Sequence, residues 1–103
     1  MKSTIAMREL YGAPPGGERR RLTLAVATPV RNGSSGGWSC KLVISDVVPP
    51  VSVDGADSLT ALAGALRRMR DELVALGDRG WEFSLDAAGG NVIDPKGWLA
   101  PPD

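Results

Sequence analysis

The chain has 103 residues, 43% of them hydrophobic and 23% charged, with twelve basic and twelve acidic side chains that cancel. That size and composition suit one folded domain with one core, and argue against extensive disorder. Histidine is absent and Cys40 is the single cysteine, which removes the commonest neutral-pH general base, any Cys-His dyad and zinc sites of the Cys/His kind.

No run approaches the roughly 18 apolar residues of a membrane-spanning helix, and Met1 to Ile5 carry no apolar stretch of signal-peptide length. The expectation is a cytoplasmic protein without membrane contact, with Cys40 a small buried hydrophobe in a reducing compartment. The charge is unevenly placed. Residues 1–41 hold seven basic against two acidic side chains, a net +5, and residues 42–103 hold five against ten, a net −5. Such asymmetry can mark a charged partner, unless the halves interleave in space.

Residues 3–11 read as a first strand, Ile5 and Met7 alternating with Thr4, Ala6 and Arg8 before the pattern slips at Leu10-Tyr11. Gly12 to Gly17, with Pro14 and Pro15 inside, reads as a loop. Residues 21–30 form a second strand in which Leu22, Leu24 and Val26 share a face, Pro29 marking its end or an edge. Arg31 to Gly37 is a hairpin connection with an Asn-Gly turn signal. The best strand pattern is Trp38 to Ile44, with Trp38, Cys40, Leu42 and Ile44 on one face. Pro49-Pro50 interrupts the chain before a short fourth strand at residues 51–53.

Asp57 or Ser58 can cap a helix, and Leu59, Leu62, Leu66, Met69, Leu73 and Leu76 follow at spacings of three and four as one stripe. Gly77 stands where a left-handed cap would close it, and Gly64 inside it points to close approach of helix and sheet. Trp81, Phe83 and Leu85 then alternate with Glu82, Ser84 and Asp86 as a fifth strand, and Gly89-Gly90-Asn91 turns the chain. Residues 87–103 read as an irregular tail pinned by Trp98, with a partner anchor as the other reading of that indole. The order β-β-β-β-α-β predicts a two-layer α+β domain over residues 1–103, an antiparallel β-meander with one amphipathic helix on one face.

Little here points to chemistry. Asp54 and Asp57 flank Gly55 but lack the alternating oxygen ligands and distal glutamate of a calcium loop. Glu82 and Asp86, at i and i+4 on a strand, would lie about 13 Å apart, too far for a catalytic pair. Gly33 to Gly37 lacks the lysine and the following helix of a phosphate loop. Arg19, Arg20 and Arg21 are the one nucleic-acid signal, set against a pI near 6.2 and few aromatics free to stack. They equally suit a charged edge strand. No catalytic residue, metal or cofactor is expected, so the function falls to the surface. The acidic set Asp46, Asp54, Asp57, Asp78, Glu82 and Asp86 is the first candidate for it, suited to a basic partner.

The run Gly37 to Ile44, followed by Asp57-Ser58-Leu59, Ala61-Leu62 and Ala65-Leu66, resembles a family of small bacterial proteins of unknown function, with a Trp-x-Cys strand and a helix opening on Asp-Ser. The match spans about residues 5–86 and consists of core and cap positions, so it implies fold rather than activity. Small proteins of this build also resemble the immunity proteins of contact-dependent growth inhibition, which bind and block a toxin domain, often a nuclease. That resemblance implies a non-enzymatic protein with a basic toxin domain as partner. The alternatives are a nucleic-acid-binding regulator using Arg19 to Arg21, and an oligomerising subunit pairing through the Trp38 or Arg21 strands.

Overall fold

The computed structural model describes residues 4–33 and 36–97. Its elements are β1 (Thr4–Ala13), β2 (Arg20–Ala27), β3 (Val30–Arg31), β4 (Trp38–Ile44), β5 (Val48–Gly55), α1 (Ser58–Asp78), β6 (Glu82–Ser84) and β7 (Val92–Ile93). The fold is α+β, with one helix packed against a seven-strand antiparallel sheet. β1, β2, β4 and β5 form the meander that short connections favour. Pro29 breaks the second strand, so β2 and β3 share one edge of β4 in succession, while β5 runs along the whole of the other. After α1 the chain returns to the far side of the sheet, where β6 pairs with β1 and β7 pairs with β6.

The core lies between α1 and the face carrying Leu10, Leu22, Leu24, Val26, Cys40, Leu42, Ile44 and Phe83, all buried. The stripe under the helix differs from the leucine spacing. Ala61, Ala65, Met69, Leu73 and Leu76 face the sheet, whereas Leu59 is 73% exposed and Leu66 36%. Close approach is the cause. A methyl at Gly64 would come within 2.8 Å of Val53 Cγ1, and one at Gly55 within 2.5 Å of the Ala61 amide nitrogen. The first turns of α1 thus rest nearly on the β5 backbone, where only alanine fits beneath. Further along, Met69, Leu73 and Leu76 fill the wider gap, each contributing about 1.5–3 kcal/mol before entropy is subtracted.

Both helix ends have defined caps. Asp57 Oδ1 accepts the Thr60 amide at 2.7 Å, which selects Asp57 over Ser58 as the cap. The Thr60 amide foremost, with the Thr60 hydroxyl and the Leu59 amide, holds Asp57 below the usual aspartate range. The helix runs past Gly77 to Asp78 and closes at Gly80, whose φ is 101°. Gly80 N–H bonds Gly77 O and Trp81 N–H bonds Leu76 O, the two bonds of a Schellman close.

Three other expectations change. β1 continues through Gly12 to Ala13, so the loop begins at Pro14. Gly12 is buried because Leu22 and Phe83 occupy the space where its side chain would be. Val48 to Gly55 is one strand containing Pro49 and Pro50, which its place at the sheet's outer edge permits. Within the expected tail, Val92-Ile93 pairs with Phe83-Ser84; Trp98 lies outside the described residues. No helix among the described residues is long and apolar enough to cross a membrane.

Candidate protein-binding surface

The fold divides the acidic set rather than gathering it. Asp57 and Asp78 stand at opposite ends of a 21-residue helix, about 30 Å apart at 1.5 Å per residue. Asp54, opposite Ser39 near the end of β5, keeps Asp57 company at one end. Asp78, Glu82 and Asp86 belong to the other end, and Asp46 sits alone in the β4–β5 turn with φ of 63°.

Two of these carboxylates are already engaged, by the first residue of the basic run. β6 ends at Ser84, so Glu82 and Asp86 are not on one extended strand face; both bracket Arg19. Arg19 Nη2 meets Glu82 Oε1 at 2.5 Å, and Arg19 Nη1 donates to Ser84 Oγ at 3.1 Å. Ser84, fully buried, donates in turn to the Asp86 carbonyl at 2.8 Å. The Asp86 carboxylate accepts the amides of Asn91 and Gly90 at 2.8 and 3.0 Å. These two bonds, with the charge of Arg19, hold its carboxyl below the usual range. Gly89 completes the arrangement: its φ is 81°, and a methyl there would lie 2.7 Å from the Arg19 guanidinium. Arg19 therefore locks the turn before β2 to the β6–β7 turn.

The other two arginines go elsewhere. Arg20 lies over the Trp81 ring, 5.5 Å from its centroid, and Trp81 stacks on Phe83. Arg21 is 3.8 Å from Glu9 on the face away from the helix, both side chains well exposed. The three guanidiniums thus serve three different contacts and do not converge. Cys40 is buried with its thiol against the Ala27 carbonyl at 3.2 Å, and burial pushes the thiol pKa up. Among the described residues no three His, Cys, Asp or Glu side chains come together as a metal site.

The feature that sequence reasoning missed is the far edge of β1. Its one edge pairs with β2 along most of its length, but its other edge meets β6 only at Tyr11, Gly12 and Ala13. Among the described residues, no strand pairs with the outer edge of Thr4 to Leu10. Ile5 and Met7 are 47% and 62% exposed there. On the helix side the same stretch borders a groove of about 200 Å³ lined by Ala6, Met7, Arg8, Leu24, Val26, Leu66 and Met69. α1 packs chiefly on β4 and β5, which leaves this strip of sheet uncovered. By contrast Trp38, expected as a pairing edge, is held on both sides, by Arg31 in β3 and Gly55 in β5. Arg21 pairs with Tyr11 on one side, while β4 meets β2 only from Leu24 to Val26. The composition of residues 4–10 offered one signal: no proline and no lysine guard this strand.

Compared with known protein families, curated proteins and solved structures, the chain matches none of them.

Proposed function

We propose that this protein is a binding module for another protein, acting as an immunity protein that occludes a bacterial toxin domain. One observation carries the binding reading: exposed Met7 and Leu66 line an apolar groove between β1 and α1, and Ile5 is exposed nearby on β1. An exposed apolar strip of this kind is what a docking protein covers. The toxin-blocking role is taken from the resemblance of small folds of this build to such immunity proteins.

The test is co-expression with the product of the open reading frame directly upstream. A stable complex on gel filtration, with relief of that product's toxicity, is the expected result. No complex and no relief would overturn the toxin-blocking role.

A further inference from the structure

We propose that the cavity between the C-terminal end of α1 and the paired strands β6 and β7 takes up an arginine side chain of a partner protein, its guanidinium held by Asp78 and Asp94. This goes beyond the groove between β1 and α1 and rests on the same protein-binding reading.

The cavity has the size and walls of a ligand site. Its volume is about 450 Å³, against about 200 Å³ for the groove, and ligand cavities run from roughly 300 to 1,000 Å³. Val74 of α1, the half-buried Trp81 and Ile93, and the buried Pro95 line it. Such walls suit the methylene stem of an arginine, which lies along apolar surface while the charged head stays among polar groups. Gly77 lines the cavity too, three turns of α1 beyond Leu66 and about 16 Å away on the same flank. One partner surface of ordinary size, about 800 Å² per side, spans both places.

The charges select a cation. Among the described residues lining the cavity, the charged side chains are Asp78, Glu82 and Asp94 against Lys96. Glu82 is taken by Arg19. The Asp78 carboxylate has no partner among the described residues. Asp94 Oδ1 accepts the Lys96 amide at 3.0 Å, which orients this carboxylate and leaves its other oxygen for a ligand. The mouth also lies at the negative end of α1, whose last turn holds no basic residue. Arg79 follows the helix and Arg20 covers Trp81, but neither lines the cavity.

Two carboxylates that come from separate elements, the end of α1 and the turn after β7, suit arginine better than lysine. A guanidinium offers five donors in a rigid fork, so one head can serve both, whereas an ammonium is a point charge. An acidic side chain would find Lys96 but would face Asp78 and Asp94 as well, so like-charge repulsion disfavours it.

The test uses the whole chain, nitrogen-15 labelled, titrated with N-acetyl-arginine amide. NMR should show saturable shifts at the amides of Asp78, Trp81 and Asp94, with a Kd of about millimolar order. N-acetyl-citrulline amide, which has the same shape without the charge, should bind at least about threefold more weakly. Asp78→Asn and Asp94→Asn should each weaken arginine binding about two- to fivefold, and Lys96→Gln should tighten it about twofold. All three side chains are exposed, and the citrulline comparison on wild type decides even where a variant folds poorly. Equal binding of citrulline, tighter binding of N-acetyl-glutamate amide, shifts confined to another face, or no saturable shift would overturn the arginine site. So would shifts at these amides that grow with protein concentration alone, which assign the cavity to a second copy. If the upstream product binds the double variant, Asp78→Asn with Asp94→Asn, as tightly as wild type, the arginine site fails while the toxin-blocking role stands. If wild type takes up the arginine probe and the upstream product does not bind, only the toxin-blocking role fails.

Discussion

Replacing Arg19 with alanine separates a structural use of the basic run from a ligand-binding one. The Arg19 side chain is only 20% exposed and makes two directed contacts, to Glu82 at 2.5 Å and to Ser84 at 3.1 Å. A hydrogen bond from a charged donor contributes about 1.5–3 kcal/mol. Glu82 is half in solvent, so its ion pair contributes at most about 1 kcal/mol. Ser84 keeps its bond to the Asp86 carbonyl, which limits the loss on that side. Together these give about 1.5–3 kcal/mol, or a fall of about 5–15 °C in Tm for a domain of this size. Arg19→Lys retains a charge for Glu82 but not the fork that also reaches Ser84, and should recover less than half of the loss.

Thermal unfolding followed by circular dichroism, for wild type, Arg19→Ala, Arg19→Lys and Arg21→Ala, decides the matter. Arg21→Ala should move Tm by no more than about 2 °C, since its contact with Glu9 is long and exposed. A wild-type Tm for Arg19→Ala, or full recovery by lysine, would refute the reasoning. Nucleic-acid retention lost equally on replacing Arg19, Arg20 or Arg21, with folding intact, would revive the nucleic-acid reading.

Gly64→Ala brings about 1 kcal/mol of helix propensity but sets a methyl 2.8 Å from Val53 Cγ1, a clash worth about 1–3 kcal/mol. It should therefore be neutral to destabilising in wild type and stabilising in a Val53→Ala background, a sign change that a urea double-mutant cycle reads directly. The depressed Asp86 pKa contributes stability that is fully present above the usual aspartate value near 3.8 and is lost as pH falls through the folded value. Tm should accordingly drop more steeply below about pH 4 in wild type than in Asp86→Asn; parallel curves would show that the amides of Asn91 and Gly90 do not hold the carboxylate in solution.

Where a pattern is local in sequence, it could be read from the chain. Asp57 reaches Thr60 three residues on and was one of the two caps expected, although Asp86, whose partners Gly90 and Asn91 are nearly as close, was read as a strand residue. Strand faces were legible for the same reason, since alternation at Leu22-Leu24-Val26 and Cys40-Leu42-Ile44 is local. The helix face was not. Leucine spacing chose Leu59 and Leu66, but the distance between α1 and β5 decides how large a side chain fits, and Gly55 and Gly64 set that distance across the layer. Arg19 and Glu82 are 63 residues apart, so nothing in their own neighbourhoods announced that the arginine run was divided among separate contacts. The acidic set failed to gather for the same cause: a helix of 21 residues carries Asp57 and Asp78 to opposite ends.

Which strands become edges follows from the same long-range geometry, and it bears on function. The strongest strand pattern, Trp38 to Ile44, lies inside the sheet with neighbours on both sides, so its apolar face serves the core. β1 has the weakest pattern of the long strands because part of it, Ile5 to Glu9, is exposed on both faces and owes nothing to the core. A stretch that buries so little draws order from its pairing with β2, and it carries no proline, whereas β5 carries two. The slip at Leu10-Tyr11 that weakened the first strand in the sequence marks where β1 passes from its exposed stretch to the buried part that β6 pairs with.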